Sequence, residues 1–133
     1  MMNYADVREG IYNHLVAEIT EVAGRVYWYW TAPADSPKPL IEFALIGEVP
    51  ALNPCLALMQ MEVLVMGEPS DILALDPIAD AVVAALHQQP VTTPLGHVGR
   101  PQYVRDSRID TWIEKLNACA IRLKFLLPSG FWT

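Results

Sequence analysis

The chain has 133 residues, enough for one ordinary domain that buries a real core without disulfides or metals. Its 53% hydrophobic residues against 18% charged ones leave more apolar side chain than a small interior readily holds, an early pointer to burial against another subunit. A net charge of −6, with only nine scattered Lys and Arg, cannot neutralise many phosphates, which sets aside nucleic-acid binding and adsorption to an anionic membrane.

Met1 to Asp6 lacks a basic stretch followed by an apolar one, so no signal peptide and a cytosolic protein are expected. From Tyr4 to Val22, Tyr4, Val7, Ile11, Leu15, Ile19 and Val22 recur at steps of three and four, predicting an amphipathic helix that stops at Gly24. Gly10 inside it costs helix propensity and marks a point of close packing. Arg25 to Trp30 is rich in β-formers and aromatics and reads as a strand, followed by a proline-rich loop from Thr31 to Pro39.

Leu40 to Gly47 is a second strand, with Ile41, Phe43 and Leu45 on one face and Glu42 on the other. Glu48 to Pro54 reads as a loop. Leu56 to Met66 is a third strand, with Ala57, Met59, Met61, Val63 and Val65 on its apolar face; it is too short to span a bilayer as a helix. Asp76 before Pro77 predicts the N-cap of a second helix running to about Gln88, with Ser70 to Leu75 a possible extra turn. Gln89 to Gly99 is expected to be loop. Strands are expected at Arg100–Arg105, Ile109–Glu114 and, most clearly, Asn117–Leu127, before a tail from Pro128 to Thr133. The whole is expected to be a single α+β domain over residues 1–133: a mostly antiparallel sheet with two helices packed on one face, in the order α-β-β-β-α-β-β with room for one further strand.

The residues offer little chemistry. His14, His87 and His97 lack the i, i+4 partners of a metal site and read as surface or satisfied histidines. Asp76 and Asp80 read as a cap and a favourable helix-dipole charge, and Asp106 and Asp110 as part of a solvated cluster with Arg105 and Arg108. Gly96-His97-Val98-Gly99 lacks the ending of a phosphate loop. Cys55 and Cys119 match no metal spacing and read as buried thiols, with a disulfide as the minor alternative. No catalytic residue, metal ligand or cofactor site is assigned, and the protein is expected not to be an enzyme.

The most unusual feature is aromatic. Alternation sends Tyr27 and Tyr29 to one face of their strand and Trp28 and Trp30 to the other, so one pair joins the core and the other needs a cover. That cover is either the chain's own loop or its C-terminal Phe131-Trp132, or a partner. Tyr27, Trp28, Tyr29, Trp30, Phe131 and Trp132 are therefore the candidate interface residues. Base stacking would need basic flanks, and only Arg25 is near.

The order of features resembles a known family. Gly24-Arg25-Val26-Tyr27 turning into a strand, the Ala32-Pro33 loop, Pro39-Leu40-Ile41-Glu42-Phe43, the strand Met61 to Gly67 and the helix around Ile78-Ala79-Asp80-Ala81-Val82 are similar to the tail-completion or tail-terminator proteins of tailed bacteriophages and prophages, over about residues 4–90. The resemblance implies a non-enzymatic homo-oligomer, commonly a hexameric ring, that caps the tail tube and joins it to the head. Its partners would be tail-tube and head-connector proteins, in the host cytoplasm during assembly and then in the virion tail or neck. The stretch Val49 to Leu58, short and apolar here, departs from the polar loop often found in the family. The competing expectation is a small-ligand-binding module of bacterial origin, with a closed pocket lined by Trp28, Trp30 and methionines.

Overall fold

A computed structural model of the chain describes residues 3–29, 31–49 and 58–128. Helix α1 spans Tyr4–Glu18, with the Asn3 side chain accepting a hydrogen bond from the Asp6 amide at 3.1 Å as its cap. The stripe Val7, Ile11 and Leu15 is fully buried, and Ile19 and Val22 continue it. They do so through a 3₁₀ turn, Thr20–Val22, rather than the longer α-helix expected. β-Branched Ile19, Thr20 and Val22 weaken the helix there, and tightening the last turn still delivers both apolar side chains to the core.

Strands β1 (Val26–Trp28), β2 (Leu40–Val49) and β3 (Leu58–Gly67) follow. Helix α2 spans Ile72–Leu86. Then come β4 (Val91–Thr92), β5 (Val98–Gly99), β6 (Gln102–Tyr103), β7 (Ile109–Ile113) and β8 (Ala118–Pro128). The main sheet runs β1-β2-β3-β8, with β6 and β7 both laid along the far edge of β8. Among the described residues only β1 and β2 run parallel; every other pairing is antiparallel. This is the expected α+β class, with five strands after α2 among the described residues where two or three were expected. The segment 89–99, expected as loop, contains the small ribbon β4–β5, and the strand expected over 100–105 is reduced to β6.

Register fixes two unequal faces. On one lie Ile41 and Phe43, Met59 to Val65 at every second position, and Ile121, Leu123, Phe125 and Leu127, all fully buried under α1 and α2. Between Leu45 and Gly47 the β2–β3 register slips by one residue. Ile46 is the extra residue of this bulge, and Gly47 supplies a φ of +123°. The expected loop from Glu48 gives way to strand through Val49, and its remainder lies outside the described residues.

The predicted N-cap at Asp76 is corrected. α2 begins a turn earlier: the Asp71 carbonyl accepts from the Ala74 and Leu75 amides at 2.8 and 3.1 Å, and Pro77 sits inside the helix. The stripe that must be buried starts upstream of the proline, at Leu75, and continues through Ile78, Ala79, Val82 and Leu86. Burying a leucine is worth about 2 kcal/mol, which holds the first turn in place. Gly67 makes room for it: a Cβ there would lie 2.9 Å from a Leu75 methyl. Gly10 has the same role for α1, where a Cβ would come within 3.1 Å of the Thr93 backbone.

Candidate functional site

The aromatic strand lies at one edge of the sheet, and its side chains divide as alternation predicts. Trp28 enters the helix side, its ring 4.6 Å from that of Phe43 and with the Arg8 guanidinium 5.4 Å above it. Tyr27 and Tyr29 take the outer face, where Tyr27 Oη is 3.3 Å from Ser36 Oγ and Tyr29 Oη donates to Glu62 Oε2 at 3.1 Å. All three rings are half-buried. Trp30, Phe131 and Trp132 lie outside the described residues.

On the helix side β1 stops at Trp28 while β2 runs on to Val49. The last bond between them is from the Tyr29 amide to the Phe43 carbonyl, at 3.2 Å. Beyond it, among the described residues, the edge of β2 has no strand beside it. An open groove of about 670 Å³ runs there, floored by Trp28, Phe43 and Leu45 and walled by Arg8, Glu9 and Tyr12 of α1. The methionines Met59, Met61 and Met66 are fully buried in packed clusters, so this groove is not the closed, methionine-lined pocket of the ligand-binding expectation.

The outer face carries a smaller pocket of about 120 Å³, with Tyr29, Glu42, Glu62, Lys115 and Arg122 among apolar walls from Leu64, Ile113 and Leu116. Glu42 is buried, and its Oε2 accepts from the Ala32 amide at 3.3 Å. Arg122 Nε is buried without a hydrogen-bond partner. Burial first, and the Glu62 carboxylate next, push the Tyr29 phenol far above its usual value. It therefore stays protonated and acts as a donor. Glu42 was visible in the sequence on the face opposite Ile41, Phe43 and Leu45; that it meets Glu62 and Arg122 follows from the β2–β3–β8 register, which local sequence does not carry.

The remaining polar groups hold the scaffold together. Asp6, nearly buried, accepts from the Leu95 amide at 2.9 Å and lies 3.1 Å from His97 Nδ1, tying α1 to the β4–β5 ribbon. Burial alone would raise its carboxyl, but the Thr93 hydroxyl, the Leu95 amide and His97 more than offset this and hold it below the usual carboxylate value. His14 Nε2 is 2.7 Å from the Ala85 carbonyl, and His87 Nδ1 accepts from the Tyr103 amide at 3.0 Å, so all three histidines are partnered. Asp76 and Asp80 both bind Arg108. Cys119 Sγ sits 2.9 Å from the Glu68 carbonyl; Cys55 is outside the described residues. Among the described residues no group of three or more His, Cys, Asp or Glu could hold a metal ion, and no helix is long and apolar enough to cross a membrane.

The chain thus belongs to the α+β class: a largely antiparallel sheet, two helices on one side and an aromatic strand at the edge. No family model matches it, and no curated protein matches it. Among solved structures it is similar to a chain of the virion of a native gene transfer agent particle, with a TM-score of 0.70, 19% sequence identity, and coverage of 95% of this chain and 98% of that one. At that identity the likeness is one of fold.

Proposed function

We propose that this protein is a non-enzymatic structural protein of a phage or phage-like particle. In particular, it is a tail-terminator or tail-completion subunit that assembles into a ring, caps the tail tube and helps to join it to the head. The observation that carries the reading is the fold likeness to a virion chain, which extends over nearly the whole of both molecules. The sequence features that resemble tail terminators fall on the elements that build this fold: Gly24 to Tyr27 enters β1, Pro39 to Phe43 opens β2, and Met61 to Gly67 is the body of β3. The half-buried aromatic edge and its open groove give such a subunit a contact surface. Its partners are further copies of itself and tail-tube and head-connector proteins, met in the host cytoplasm and kept in the virion tail or neck.

The test is the size and shape of the purified chain, alone and mixed with tail-tube protein, by light scattering and negative-stain microscopy. A closed ring that binds the end of a tube is the expected result. A protein that stays monomeric or two-fold dimeric under both conditions overturns the reading.

A further inference from the structure

The sheet has a second open edge, opposite the aromatic one. β7 pairs with β8 on one side and, among the described residues, with no strand on the other. Exposed strand edges are normally blunted by lysine, proline, bulges or a cover. β7, Ile-Asp-Thr-Trp-Ile, has no proline, lysine or bulge, and leaves Ile109 and Trp112 each 49% exposed. We infer that β7 of one copy adds to the open edge of β2, beyond Phe43, in the next copy, continuing the sheet from subunit to subunit. This rests on the ring reading above and names the surfaces that make the ring.

Three observations select a second copy of this chain as the occupant. The first is direction. β2, β3, β8 and β7 alternate in direction along the sheet. A neighbour laid alongside in the same orientation therefore brings its β7 antiparallel to β2, the arrangement with the better hydrogen-bond geometry. The second is facing. Asp110 and Trp112 pair across from Ile121 and Cys119, which puts them on the helix side of the sheet. In the next copy that side is the groove under α1, floored by Trp28 and Leu45. The third is charge. Arg8 stands exposed on the groove wall, over Trp28, with no ion pair among the described residues, and Asp110 is the exposed acid on β7. The contact joins two different patches, as a closed ring requires: each copy gives its β7 edge to one neighbour and its β2 edge to the other, so the closed ring leaves neither edge free.

The experiment compares the wild-type chain with Arg8→Glu, Asp110→Arg and the double variant, with circular dichroism as the check on folding. Each single reversal sets like charges across the contact and should raise the concentration needed for half-assembly by roughly tenfold or more. The double variant restores opposite charges at every contact and should recover assembly. In the assembled state the alternate amides of 109–113 that point away from β8, and the Leu45 amide, which faces the open edge of β2, should exchange hydrogen more slowly than in the dissociated protein. Trp112→Ala, which keeps the charges, should weaken assembly as well. Folded single variants that form rings as the wild type does would leave the ring reading standing and overturn this one. The same holds for a double variant no better than the singles, or for amides that stay fast in the ring. A wild type that never assembles overturns both.

Discussion

On the helix side of β3 and β8, Met59, Met61, Val63, Val65, Ile121, Leu123, Phe125 and Leu127 are all buried to within 1% of complete coverage. On the other side of the same two strands, Gln60, Glu62, Arg122 and Lys124 are only partly covered. There the apolar cluster is confined to one end, where Leu64, Met66, Ala118 and Ala120 lie under Ala32 and Leu116. Both faces belong to one backbone with one register, so the difference is made by side chains and by what crosses over them. Two helices cover the first face; among the described residues the second has only Tyr29, the 31–39 stretch and the turn after β7. Stability should therefore reside mainly on the helix side, and the outer face should tolerate change.

The sharpest way to break that contrast is Phe125→Ala. Phe125 is fully buried on the helix side, with Tyr103 at 5.5 Å between ring centroids. Its loss should cost about 3–5 kcal/mol in denaturant unfolding. A cost below about 1 kcal/mol would show that the helix side is not where stability resides. Gly10→Val probes the same layer from its rim. The added side chain would have to enter space already within 3.1 Å of the Thr93 backbone, and should cost about 1–3 kcal/mol. The loss should appear first as faster hydrogen exchange in the 91–99 ribbon.

The legibility of the sequence follows the same division. Helix-side residues repeat at two or at three and four, and each periodic run foretold its element: Val7 to Leu15, Met59 to Val65, and Ile121 to Leu127. The cap of α2 was placed at Asp76, with Ser70 to Leu75 as no more than an added turn, because Asp76-Pro77 is a good local helix start, whereas the burial of Leu75 over Gly67 is a tertiary demand. The two-residue strands β4, β5 and β6 carry too few residues to show a period at all. The outer pocket was half legible. Glu42 was placed on the correct face, but its meeting with Glu62 and Arg122 depends on a three-strand register. Arg108 between Asp76 and Asp80 was hidden for the same reason, since partners 28 and 32 residues away leave no local mark.

Tyr29→Phe asks how much the outer face contributes. It removes one hydrogen bond, to Glu62, while keeping the ring, and should cost about 1 kcal/mol at neutral pH. The pH dependence is more specific. Because the folded protein holds the phenol well above its usual value, the unfolded chain releases that proton first. The stability this tyrosine contributes is complete below about pH 10, the ordinary tyrosine value, and falls as pH rises beyond it. The wild type should therefore lose stability between about pH 9.5 and 11 more steeply than Tyr29→Phe. Parallel alkaline limbs would show that Tyr29 is more open to water than its contact with Glu62 implies.

The smallest effect is expected at the rim of α2. Arg108 bridges Asp76 and Asp80 from the loop before β7, with side chains 30%, 48% and 71% exposed. Water screens such pairs, and ordering a long side chain offsets much of the attraction, so Arg108→Ala should cost about 0.5 kcal/mol. The cost should shrink further in 0.5 M salt, where the screening length drops to about 4 Å. A cost several times larger that survives high salt would mean that the bridge fixes the position of β7. The free edge of β7 would then depend on this clamp as well as on its pairing with β8. In that case Arg108→Ala should weaken assembly more than it weakens the fold, separating the edge of the sheet from its core by one substitution.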